Sequence, residues 1–138
     1  MIPAGSLLDT GPLVALLDKD DQNHQRATSL FAEIQAPFVT CEAVLSEACF
    51  LIGKASRAAP EWVLQLGQQG FYRIAFDLKS HEASLRSLLK KYRSRPISLA
   101  DACLIRLAEI QNESRIVTFD SDFQIYRWAK NKRFEILR

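Results

Sequence analysis

The 138-residue chain reads as an α/β protein, a three-layer sandwich built on a central, mostly parallel five-stranded sheet. Three observations predict that class. Short apolar segments of strand character alternate with helical ones along the chain. Those strands are apolar throughout, without in–out alternation, as in a sheet covered on both faces. No linker, internal repeat or low-complexity tract divides the sequence, so residues 1–138 form one domain of ordinary size.

The first strand runs through Ser6, Leu7 and Leu8 and ends on Asp9. A Thr10-Gly11-Pro12 turn comes next, and an apolar helix starts at once, with Pro12 in the first turn where its missing N–H costs nothing. After a polar break at 18–23, Ala27, Leu30, Phe31 and Ile34 fall at i, i+3, i+4 and i+7, one stripe of a second helix. Ala36-Pro37 ends it, and 38–40 reads as a short strand.

The segment 41–53 is a helix apolar nearly all round, which predicts deep burial. A further helix spans 60–69 with Gly70 as its cap, and 71–76 is the third strand. Segment 80–92 is amphipathic and runs into Lys90, Lys91, Arg93 and Arg95 before Pro96 breaks it. Ser98 opens an apolar helix over 99–110, and 115–119 is the fourth strand. Asp120-Ser121-Asp122 is expected to cap a last helix over 123–130, with 134–137 as the fifth strand.

Composition bounds the function. With 48% hydrophobic and 25% charged residues and no apolar run long enough to span a bilayer, the chain reads as soluble. The start has neither a basic region nor a sustained apolar one, so a cytoplasmic protein without a membrane partner is expected. Cys41, Cys49 and Cys103 lack metal-site spacing and read as buried free thiols. Setting aside five of the 16 acids as one cluster leaves 11 against 18 basic residues, a basic exterior around an acidic spot. That balance suits a polyanionic substrate and metal ions.

The cluster is the candidate site. Asp9 ends the first strand and Asp120 and Asp122 come directly after the fourth, so a parallel sheet brings them to one edge. Glu47 lies in the nearly all-apolar helix, and Asp101 opens the 99–110 helix. A buried carboxylate is costly unless paired or coordinating a metal, and no cation stands beside these. Lys54 is seven residues beyond Glu47, and Arg106, five beyond Asp101, projects from another side of its helix. Oxygen-only ligands point to Mg²⁺ or Mn²⁺, whose chemistry suits phosphodiester hydrolysis.

Structural roles compete for several of these residues. Asp9 also suits a helix cap, and Ser98-Leu99-Ala100-Asp101 matches a capping box. Glu47 has the weakest such alternative. Glu42, rotated about 140° from it in the helix's first turn, reads as capping or surface. His24 and His81 read as surface or capping residues rather than general bases. Lys90, Lys91, Arg93, Arg95, Lys130, Lys132 and Arg133 suit either solvated helix ends or contacts to the phosphates of a polyanion.

Four stretches, 6–17, 40–47, 98–102 and 117–123, together resemble the successive motifs of PIN-domain nucleases, especially VapC-like toxins of bacterial toxin–antitoxin pairs. The match spans essentially the whole chain. The resemblance implies a metal site of Asp9, Glu47, Asp101 and Asp120, with Asp122 accessory and Thr10 and Thr118 orienting a carboxylate or water. Asp120 is favoured over Asp122 as the fourth ligand because it lies nearer the strand end. The resemblance further implies metal-dependent endonucleolytic cleavage of RNA, a homodimer, and inhibition by a small antitoxin. A non-toxin RNA-processing or DNA nuclease and an inactive RNA-binding module are the alternatives. A receiver-like domain is disfavoured because no Lys sits at a late strand end.

Overall fold

Successive residues of each central strand enter opposite cores: Leu7, Val39 and Ile116 one, and Leu8, Phe38 and Val117 the other. That two-sided burial is why the strands carry no polar face. The computed structural model describes residues 1–138. Its elements run β1 (Leu7–Leu8), α1 (Thr10–Leu17), α2 (His24–Ala32), β2 (Phe38–Thr40), α3 (Glu42–Ile52), α4 (Glu61–Gln68) and β3 (Tyr72–Ile74). The second half holds α5 (Glu82–Lys91), α6 (Leu99–Gln111), β4 (Arg115–Val117), β5 (Arg127–Trp128), β6 (Lys132–Arg133) and β7 (Glu135–Leu137).

Five strands form a wholly parallel sheet in the order β3-β2-β1-β4-β7, flanked by six helices. Helices α5 and α6 supply one core, through Leu85, Leu104 and Leu107. Helices α1 and α4 and one face of α3 supply the other, through Leu13, Val63, Leu45 and Ile52. The expected three-layer sandwich is therefore observed. No helix is long and apolar enough to cross a membrane.

Three expectations need correction. The helix over 123–130 is replaced by a short 3-10 turn at Ser121–Gln124 and an antiparallel hairpin of β5 and β6. The buried aromatics explain this: Phe123 and Tyr126 are spaced as on a helix, but Trp128 comes two residues after Tyr126, a strand period. Ala129 and Lys130 then take positive φ values of 46° and 75° to turn the chain, and Glu109 accepts the Ala129 N–H at 2.8 Å. Helix α2 stops at Ala32, so Ile34 is buried by a bridge to Ile2 rather than by the helical stripe.

Helix α3 is not buried all round. Val44, Leu45, Ala48 and Ile52 face the cores, whereas Ser46, Glu47, Phe50 and Leu51 are exposed, Phe50 by 64%. Its apolar composition overstates its burial because two large apolar side chains remain on the solvent side.

Candidate active site at the sheet edge

The strand order reverses at β1. The chain steps outward through β2 and β3, then crosses back to β4 on the other side. The crevice at the C-terminal ends of β1 and β4 is where such a sheet opens to ligands. Asp9 leaves β1 there as the cap of α1, its Oδ1 accepting the Thr10 N–H at 2.8 Å. Its Oδ2 accepts the Thr118 hydroxyl at 2.6 Å, and the Asp9 N–H reaches Val117 O at 3.0 Å.

Thr118 sets the path of the chain beyond β4. It is fully buried, and its Oγ1 accepts the Asp120 N–H at 3.0 Å. Asp120 Oδ1 in turn accepts the Asp122 N–H at 2.9 Å. Asp120 thus combines a capping bond with a place at the strand end.

Helix α6 delivers Asp101 through the expected capping box. Ser98 Oγ accepts the Asp101 N–H at 3.0 Å, and Asp101 Oδ2 accepts the Ser98 N–H at 3.4 Å. Tyr126, fully buried, donates its hydroxyl to the same oxygen at 3.2 Å. Glu47 reaches the site from α3, its Oε2 accepting the Thr10 hydroxyl at 3.2 Å. Glu47 is exposed, so the expectation that it is stranded in a buried helix fails. Its place at the site comes from the direction of α3 and not from desolvation.

All five acids line one open pocket of about 480 Å³, together with Thr10, Arg95 and Phe119. A larger cavity of about 870 Å³ between α4 and β3 holds Glu61 and Arg73 but no converging acids, so size does not select the site. Burial pushes the Asp9 carboxyl up to about 7, against the Thr118 and Thr10 hydrogen bonds and with the charges of Asp101 and Asp120 adding to the rise. Burial also raises Asp101, opposed by its Ser98 and Tyr126 donors and reinforced by Asp120. Mutual repulsion of this kind favours a cation between the groups.

The donor set is all oxygen, as Mg²⁺ or Mn²⁺ requires. No three of the carboxylates converge closely enough to bracket an ion directly. Residues in this arrangement fit an ion that keeps several waters and takes only one or two carboxylates, the usual habit of Mg²⁺.

Other candidates lie elsewhere. His24 Nδ1 is 2.7 Å from Ala15 O, tying α2 to α1, and His81 stacks on Phe76 and takes the Arg106 Nε–H at 3.2 Å. Lys54 sits over Phe50, and Arg106 pairs with Glu109. All three cysteines are free, with Cys41 and Cys103 buried. Of the basic residues only Arg95 lines the pocket, its Nη1 3.5 Å from Asp122 Oδ1. Lys132 and Arg133 lie in the β5–β6 hairpin and not at a helix end. Tyr126 and Phe119 escaped the sequence as site residues because only the tertiary fold brings them to the acids, and the fold likewise singles out Arg95 from the basic residues the sequence offered for phosphate contact.

Residues 6–129 match the family model described as the PIN domain. Among solved structures, the chain resembles the crystal structure of Mycobacterium tuberculosis VapC20, described as a sarcin–ricin loop cleaving toxin. The two are 20% identical over 94% of this chain and 98% of that one, with a TM-score of 0.78. No curated protein matches the chain in sequence.

Proposed function

The chain belongs to the PIN domain family, and from that premise we propose that it is a metal-dependent endoribonuclease acting as the toxin of a toxin–antitoxin pair. The observation that carries this reading is the meeting of Asp9, Glu47, Asp101 and Asp120, from four separate segments, in one pocket at the sheet's C-terminal edge. The toxin role draws on the likeness to the mycobacterial toxin, and a small antitoxin protein and a second copy of this chain are its proposed partners.

Asp9, Glu47, Asp101 and Asp120 would hold Mg²⁺ or Mn²⁺, one or two of them directly and the others through the ion's waters, with Asp122 as an accessory acid. The ion would supply charge to the phosphodiester oxygens and lower the pKa of a bound water. The chain's own groups do the positioning. Thr118 and the Thr10 N–H hold the two oxygens of Asp9 apart, each on its own donor. Thr10 steadies Glu47, and Tyr126 and Ser98 hold one oxygen of Asp101. An open pocket of this shape admits a polymer strand rather than a small enclosed ligand.

Purified protein with Mn²⁺ is expected to cut single-stranded or structured RNA internally, and Asp101→Asn is expected to abolish the cut while leaving the fold intact. Cleavage by Asp101→Asn at the wild-type rate would remove the site assignment. Wild-type protein that holds RNA uncut with or without Mn²⁺ would replace the enzyme by a binding module.

A further inference from the structure

The pocket carries one aromatic side chain, Phe119, between Thr118 and Asp120. Phe119 is only partly buried and belongs to neither hydrophobic core. Phe38 and Phe123, by contrast, are fully buried against further rings. Core packing therefore does not account for Phe119. Its ring lies beside Gly11 in the first turn of α1, two residues from Asp9.

Arg26, an exposed residue of α2, places its guanidinium 4.6 Å from the centre of the Phe119 ring. Arg26 also lines a small surface cleft with Glu33 and Arg138. Arg95 lines the pocket from the loop before α6, while Arg26 belongs to the helical layer on the other side of the sheet.

We infer that Phe119 and Arg26 form a subsite for an unpaired nucleobase of the RNA strand, next to the phosphodiester held at the carboxylates; this rests on the nuclease reading. An exposed cation–π contact is worth a factor of about two to five in an equilibrium, whereas stacking of a base on an aromatic side chain is worth about five to a hundred. A base therefore displaces the guanidinium from the ring at a net gain. The freed Arg26, with five N–H donors in a plane, is then available to the adjacent phosphate or to the base edge. Only a base splayed out of a helix presents its face in this way, so the subsite selects single-stranded or looped RNA.

The test uses short single-stranded RNAs, each with one 2-aminopurine at a different position and a dye at one end, titrated with the full chain in Ca²⁺. One 2-aminopurine position is expected to be quenched on binding, beside the position cut in Mn²⁺. Phe119→Leu is expected to abolish that quench and weaken binding about tenfold, and Phe119→Trp to restore both. Arg26→Ala, an exposed change that leaves the fold intact, is expected to weaken binding several-fold. Cleavage in Mn²⁺ with no quenched position, or a quench unaltered in Phe119→Leu, would overturn the subsite and leave the nuclease standing. Absence of both binding and cleavage by wild-type protein would overturn the nuclease reading and the subsite with it.

Discussion

Thr118 donates its hydroxyl to Asp9 Oδ2 at 2.6 Å while accepting the Asp120 N–H at 3.0 Å, so one buried side chain sets both strand-end acids. Its Cγ2 methyl adds little that valine would not. Thr118→Val keeps the shape but takes the donor from Asp9 Oδ2 and the acceptor from the part-buried Asp120 N–H, while Asp9 Oδ1 keeps the Thr10 N–H. Loss of about 1–3 kcal/mol of stability is expected from the orphaned groups. Cleavage should fall about 10- to 100-fold, as when a group that orients a ligand is removed. Denaturant unfolding and RNA cleavage check the two effects, and Thr118→Ser should recover most of both.

The Asp9 carboxyl, pushed by burial up to about 7, makes the metal-free protein's stability depend on pH. In the unfolded chain it titrates near the ordinary Asp value of about 4. Between those values the folded state binds the extra proton, so this group's contribution to stability is present at low pH and is lost as pH rises from about 4 to about 7. Its slope is at most about 1.4 kcal/mol per pH unit. Thermal melts of wild type and Asp9→Asn in a chelator should differ in that direction across the window, with the variant lacking the decline. Adding Mn²⁺ should flatten the wild-type curve near pH 7, because a bound cation favours the ionised acid.

The residues of the site differ in how far the sequence exposes them. Asp9 can be placed because a strand, a Thr-Gly-Pro turn and an apolar helix meet there, and Asp101 because Ser98 caps its helix. The parallel sheet comes from two-sided apolar strands, down to the burial of Leu7 and Leu8 in opposite cores. Glu47 lines the pocket, but the argument from burial that singled it out fails: composition counts Phe50 and Leu51 as core, and both are exposed. The segment after Asp122 misleads because Phe123 and Tyr126 imitate a helical stripe that Trp128 breaks. Tyr126 and Phe119 are beyond reach, since nothing local ties a residue 25 positions from Asp101, or an apolar neighbour of Asp120, to a polar pocket.

The Tyr126 hydroxyl gives a test of that hidden contact. Its bond to Asp101 Oδ2 lowers a carboxyl that burial otherwise raises. Tyr126→Phe keeps the ring in the core and removes only the donor, costing about 1 kcal/mol. Asp101 should then be harder to ionise. The acidic limb of the kcat–pH profile should move to higher pH, with a smaller loss of rate at pH 8 than at pH 6. An unshifted limb would confine Tyr126 to packing.

Arg95 is the one basic residue that lines the pocket, and its pairing with Asp122 decides what it is for. The gap is 3.5 Å and both side chains are well exposed, at 44% and 37%, so the pair is worth about 0–1 kcal/mol. That is too little to justify the residue as a structural clamp. A phosphate offers charge and several acceptor oxygens to a guanidinium whose donors are mostly uncommitted. Arg95→Ala should therefore leave the unfolding midpoint nearly unchanged but weaken RNA binding in Ca²⁺, and lower the slope of log affinity against log salt by about 0.7 for a single strand. Asp122→Asn breaks the same ion pair while sparing the cation, so it should leave that slope intact. Equal effects of the two substitutions would mean that Arg95 serves Asp122; a change confined to Arg95→Ala means that it serves the RNA.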